Sequence, residues 1–330
     1  MMRTPLLVWL GALLLLCTGM SLALGPSSFA LSEWLSLLGG QPNGAVQTIL
    51  LDVRLPRATA AALAGCALGA SGTAMQGLMR NPLAEPGVMG VSATAALAAT
   101  SCVYFGLAAT SPLLVPIASL VGAIAATSVV AGAALRLRGI ASLILIGVAM
   151  SAIAGAMMAL LVNMAPNPFS LSDLINWTAG SVANRDWDEI GFGAPFILSG
   201  VALLLWGRRN LSALALGEEA AHGMGVDLAR TRLLVIAGTG IATGGAVAIA
   251  GMIGFVGLIA PHMVRKASGH DAGLAILPSA LAGASLLLVS DMVVRLLPWG
   301  NELHLGTLAA LIGAPLFALI ALRMGSIRHG

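Results

Sequence analysis

The sequence predicts an all-α polytopic membrane protein of ten transmembrane helices, and three observations carry that prediction. Only 9% of its 330 residues are charged against 58% hydrophobic, with a mean hydropathy of +0.97. The apolar residues come in runs of about twenty, and a helix of that length, rising ~1.5 Å per residue, crosses a hydrocarbon core ~30 Å thick. The arginines fall in short breaks between the runs, where they report orientation. Such a composition excludes an intrinsically disordered chain and a soluble enzyme.

Taken in order, the predicted spans are 5–24, 55–78, 88–106, 113–135, 140–163, 190–207, 233–253, a short 254–264, 272–296 and 304–322. All belong to a single transmembrane domain covering 1–330. The first run follows Arg3 and ends among small residues at Ser21–Gly25, so it also has the layout of a signal peptide. Removing it would leave nine spans with unchanged parity. Residues 233–264 hold no charge over 32 positions and would make a helix of about 48 Å, too long for one crossing. Gly251, Gly254, Gly257 and Pro261 are breakers inside it.

Charge supports the break. With it, twelve basic residues share one side: Arg3, Arg80, Arg136, Arg138, Arg208, Arg209, Arg230, Arg232, Arg265, Lys266, Arg323 and Arg328. Four of the 16 remain opposite, Arg54, Arg57, Arg185 and Arg295. Treating 233–264 as one span gives nine against seven. The positive-inside rule therefore predicts a broken segment and both termini in the cytoplasm. Ala64-Gly65 followed by Gly72 echoes Ala237-Gly238 followed by Gly245. The two copies run in opposite directions, as an inverted repeat would.

Dispersed arginines exclude a nucleic-acid partner. Cys17, Cys66 and Cys102 lie in or beside apolar runs with no CxxC spacing and read as small membrane hydrophobes. The single lysine, Lys266, follows Arg265, so the chain has no GxxxxGK[ST] phosphate loop. No catalytic, cofactor or metal residues are expected in this chain. Ionisable residues inside the spans are nearly lacking, which suits a bulky solute better than a bare cation.

The breaks carry the functional content. The break 208–232 is the longest on the basic side. Its stretch 211–225 is amphipathic and stops at Gly223 and Gly225, a form suited to docking in a groove of a soluble partner or lying on headgroups. Glu218, Glu219 and His222 face no second cluster that would make them catalytic. Residues 76–92, QGLMRNPLAEPGVMGVS, hold Pro82, Pro86, Gly87 and Gly90, a rigid turn of the kind that shapes a constriction. On the opposite side Arg54, Arg57 and Arg295 either pair with Asp52 and Asp291 or receive carboxylates from an external partner.

Six strings resemble one family: RLPR at 54–57, NPLAEPGVMGVS at 81–92, LALGE at 214–218, IGFVGLIAPHMVR at 253–265, ALAGASLLLVSD at 280–291 and GAPLF at 313–317. They are similar, in the same order from about residue 50 to 322, to the permeases of ABC importers for cobalamin, ferric siderophores and haem. The resemblance implies a pair of ten-span permeases, two cytoplasmic ATPases that bind ATP and Mg, and a periplasmic or lipoprotein binding protein. It implies that Leu214, Ala215, Leu216, Gly217, Glu218, Glu219, His222 and Gly223 couple to the ATPase. Arg54, Arg57 and Arg295 would receive the binding protein, and Asn81, Leu83, Ile140 and Ala141 would form a cytoplasmic gate. The family usually has Glu-Leu-Pro before the last span, whereas here Glu302-Leu303 precedes His304. That histidine either contacts a metal chelate or only starts a helix. The one other class the sequence admits is a secondary transporter or channel working without an ATPase.

Overall fold

The structure, a computed structural model, describes residues 3–25, 44–137, 139–297 and 303–326. Arg138, Arg328 and Glu302, which entered the sequence reading, lie outside these residues. Among the described residues every regular element is helical. The first is α1 (Arg3–Ala23). A short α2 (Gly44–Thr48) runs through a π-helical stretch, Ile49–Arg54, into α3 (Leu55–Met79). There follow α4 (Val91–Tyr104), α5 (Leu114–Arg136), α6 (Ile140–Asn163), α7 (Pro168–Ala179) and α8 (Trp187–Trp206). The second half holds α9 (Arg208–Leu214), α10 (Glu218–Gly223), α11 (Leu228–Ala250), α12 (Val256–Val264), α13 (Ala272–Leu296) and α14 (Leu305–Ser326).

Local chemistry sets the boundaries. Asp186, Asp227 and Asp271 cap α8, α11 and α13, each side chain accepting from the backbone N–H three residues on. Through its cap, α11 starts at Leu228, five residues before the expected span at 233. The 140–163 and 272–296 spans agree with α6 and α13. Helix α7 was not anticipated, because its Ser, Asp, Asn and Trp residues break the apolar run.

Among the described residues, seven helices are long and apolar enough to cross a membrane. The spans expected at 88–106 and 304–322 appear as shorter apolar helices, Val91–Tyr104 and Leu305–Ala318, of which the second continues to Ser326. The expected span 254–264 needs correction. Helix α12 has nine residues, about 14 Å at ~1.5 Å per residue, less than half a hydrocarbon core. Gly251 (φ +68) ends α11, and the chain from Gly251 to Phe255 is not helical.

Packing explains how the chain returns. Helix α8 runs antiparallel to α11: a Cβ on Gly193 would meet Ile249, one on Gly200 would meet Ala242, and Gly207 lies beside Leu234. Gly273, at the start of α13, presses on the Arg208 carbonyl. Ala250 and Ala272 therefore lie at opposite ends of the bundle, and residues 251–271 make the return, partly as loop and partly as half a helix. Irregular backbone at such depth is tolerated where protein or a cavity surrounds it.

The core is built on contact between backbones. An added Cβ on Gly65 would strike the Gly283 carbonyl, on Gly69 the Ser279 carbonyl and on Gly72 the Gly257 carbonyl. Thus α3 lies in direct contact with α13 and α12, as small residues permit in lipid. Of the most apolar stretch of α11, 78% is buried, against 11% for α1 and 22% for α6. Helices α3, α11 and α13 form the centre, and α1 and α6 the periphery.

Candidate functional site

The expected functional residues divide between the two ends of the bundle and the loop between α3 and α4. At the end carrying the start of α3, Asp291 of α13 is 1% exposed and holds two arginines. Arg57 Nε donates to its Oδ1 at 2.9 Å. Arg295 Nε stands 3.0 Å from Oδ2, an ion-pair contact whose angle falls short of a hydrogen bond. Arg295 also donates through Nη1 to the carbonyls of Ser21 and Leu24 and through Nη2 to Ser21 Oγ. Arg54, 4% exposed, donates to the carbonyls of Leu22 and Ala23. These are carbonyls that the end of α1 leaves without helical partners. Of the two uses the sequence left open for the arginines, pairing with Asp291 is realised for Arg57 and Arg295. All three guanidiniums also anchor α1, directly or through the node, which single-sequence reasoning had missed. No local spacing relates Ser21–Leu24 to Arg54 or Arg295.

His304 lies just before α14, and its carbonyl accepts the Leu308 N–H as a helix-starting residue does. Its side chain lines a cavity of about 710 Å³ at this same end with Arg57, Asp173, Trp177 and Arg185. Arg185 pairs with Glu189 at 2.8 Å and stands 5.0 Å from the Trp177 ring centroid. The histidine thus stands at a helix start and on a cavity wall.

The 80–90 loop is fixed by its own residues. Arg80 ends α3 in the left-handed region (φ 47), and Asn81 Oδ1 accepts from the Leu83 N–H at 3.0 Å. Pro86–Met89 form a 3₁₀ turn that meets α6 where Gly147 abuts the Val88 carbonyl. Ile140 and Ala141, half-buried and exposed, lie two turns earlier on α6. Nearby, the Glu85 carboxylate accepts the backbone N–H of Phe255, a residue at φ +65 that begins α12. Glu85, Phe255, Thr178, Gly306 and Thr307 share a cavity of about 480 Å³ beside the half-helix. The family string at 81–92 contained Glu85, and a lone acid in an apolar, rigid turn is the signal that could have singled it out.

At the other end, the expected coupling stretch is two short helices with a turn between them. Leu211, Leu214 and Ala221 are buried, while Ala215, Leu216, Glu219, His222 and Gly223 are exposed. Gly217 sits at φ +115 and ψ 153 before α10, a conformation open essentially to glycine alone. Glu218 accepts two hydrogen bonds from Arg232 Nη2, at 3.0 and 3.1 Å, fastening the turn to α11. Among the described residues no three His, Cys, Asp or Glu gather as a metal site would require.

Residues 13–323 match the FecCD transport family. The hemin transport system permease HmuU of Yersinia pestis is 36% identical over 333 residues, 97% of both chains. The vitamin B12 import system permease BtuC of Salmonella typhimurium is 34% identical over 320 residues, 96% of this chain and 94% of its own. A solved metal-chelate type ABC transporter in an inward-facing conformation superposes with a TM-score of 0.86 at 31% identity, covering 97% of this chain and 99% of that one. Matched over nearly its whole length in sequence and in structure, the chain belongs to the FecCD transport family.

Proposed function

We propose that the chain is the membrane-spanning permease of an ATP-driven importer of metal chelates, with haem, a corrinoid or a ferric siderophore as substrate. The observation that carries the coupling is the turn at 215–223. Its buried side sits in the core, the Glu218–Arg232 pair fastens it, and Ala215, Leu216, Glu219 and His222 stand outward. A braced, protruding turn suits a groove in a soluble ATPase, which would bind ATP and Mg and hydrolyse the nucleotide. The permease itself is not an enzyme.

The chain crosses the inner membrane ten times in this reading, with residues 251–271 as one return and both ends cytoplasmic. The excess of basic residues at the end bearing Arg80, Arg136, Arg208, Arg209 and Arg265 supports that orientation. The exposed apolar faces of α6 and α14, including Leu145, Ile153, Leu311 and Ile312, support contact with a second permease copy and with lipid. A substrate-binding protein would dock near Arg54, Arg57 and Arg295. Closure of the ATPases would carry α9 and α10 and change access at Asn81, Leu83, Ile140 and Ala141.

The test is reconstitution of the permease with its co-expressed ATPase and binding protein in liposomes. Uptake that needs internal or external ATP on the ATPase side, and fails on ATPase inactivation, supports the assignment. Transport by the chain alone under an ion gradient, without ATP, would overturn it.

A further inference from the structure

A third, smaller cavity lies at the end that carries the 215–223 turn. It holds about 230 Å³ between α3, α9, α12 and α13, and the side chains that give it character are Arg80, Gln76, Arg265, His270 and Asp271. Among the described residues, the guanidiniums of Arg80 (exposed) and Arg265 (half-buried) make no ion pair or hydrogen bond, unlike those of Arg54, Arg57, Arg185, Arg232 and Arg295. Gln76 Nε2 is buried and has no acceptor. A buried donor without an acceptor is costly, and this one is aimed where an anion's oxygen could meet it. The acid in the cavity is already engaged, since Asp271 Oδ1 accepts from Ser212 Oγ at 2.6 Å and from the Leu274 N–H at 3.1 Å. Two guanidiniums against one carboxylate leave the lining net positive.

We propose that this cavity binds a phosphate group. The donors come from three separate elements, the end of α3, the end of α12 and the loop before α13, so they surround a small multivalent anion better than they match one planar carboxylate. Basic cavities between membrane helices on the cytoplasmic side are where phosphorylated headgroups lodge. Guanidinium forks bind phosphate oxygens through charge-assisted bonds. A lipid headgroup and a free phosphate share this chemistry, and Leu211 at the wall places the site against the first of the two short helices.

The experiment uses the purified full chain in detergent, with two probes. Native mass spectrometry reads retained phospholipid, phosphatidylglycerol being added back after delipidation. Thermal stability is then titrated with inorganic phosphate against chloride at equal ionic strength. Retained phospholipid identifies a headgroup as occupant, and stabilisation by phosphate without retained lipid identifies a soluble anion. In either case the double variant R80Q/R265Q weakens binding roughly tenfold or more, while R136Q at the same end leaves it unchanged. Neither lipid retention nor a phosphate response, or a folded double variant that binds as the parent does, overturns the proposal. Should the double variant fail to fold, Gln76→Leu removes one donor and keeps the shape, and unchanged binding in that protein overturns it equally.

Discussion

Replacing Asp291 by Asn tests how the arginine end is held together. The side chain keeps its size but loses the charge that two guanidiniums share, at 2.9 Å from Arg57 and 3.0 Å from Arg295. Carboxylate and guanidiniums are 1%, 12% and 4% exposed, so solvent cannot replace the lost partner. Breaking a buried pair from one side costs about 3–5 kcal/mol, because it strands the opposite charge. Arg295 retains Ser21 and Leu24 as acceptors, which places the expected loss toward the lower end, about 3 kcal/mol. Chemical unfolding in mild detergent, followed by the fluorescence of the six tryptophans, measures it. Repeating the measurement from low to high salt separates burial from surface pairing, since a buried pair is weakly screened. A loss below about 1 kcal/mol, the range of exposed pairs, or a loss that vanishes in high salt, would refute the reasoning.

Gly65→Val sets a branched side chain against the Gly283 carbonyl, and overpacking of this kind costs about 1–3 kcal/mol or more. The expected outcome is a fall in monodisperse yield, and wild-type unfolding behaviour would count against the close α3–α13 contact. Gly217→Ala adds strain of about 1–3 kcal/mol at φ +115, whereas Gly217→Arg adds the same strain plus bulk in the proposed ATPase groove. Transport-linked ATP hydrolysis should fall further in the arginine variant, and equal activities would remove the groove from the account. His304→Ala should slow uptake of haem while sparing a chelate without open metal positions if the ring touches substrate. Equal rates for both would leave His304 as a helix-start residue.

How much of this was legible depends on the range of the interactions. The ends of α6 and α13 followed from charge and hydropathy because they are set by where lipid meets water. The break after Ala250 followed from glycines and from charge parity, and Gly251 at φ +68 shows the local reason. The half-length of α12 did not follow. Apolar content predicts burial in lipid, and residues 251–255 are apolar too, although their backbone is not helical. Helix α7 escaped for the opposite reason, since its polar residues lie in the 163–187 break where hydropathy has nothing to say. The arginines were recognised as needing a reason, and Asp291 was one of the two acids offered. That Arg54 and Arg295 would close over the carbonyls of Ser21 to Leu24 joins positions up to 274 apart in sequence, which only the folded chain brings together.

The two ends of the molecule are joined by α13. At its start, Gly273 rests on the Arg208 carbonyl and Asp271 accepts from Ser212 of α9. At its far end Asp291 and Arg295 hold α3 and α1. Between them the backbones of Gly283 and Ser279 meet α3 directly at Gly65 and Gly69, with no long side chain interposed. A close-packed contact of that kind moves as a body or not at all. In the proposed transport cycle, a displacement of the α9–α10 turn would act on α13 through the Gly273 and Asp271 contacts, whereas the 80–90 loop, set against α12 through Glu85 and against α6 through Gly147, is the part built from turns. On that proposal the division of labour follows from side-chain size: glycine contacts would make the lever stiff, and the proline-rich turn beside the half-helix would be where its motion changes the shape of a path.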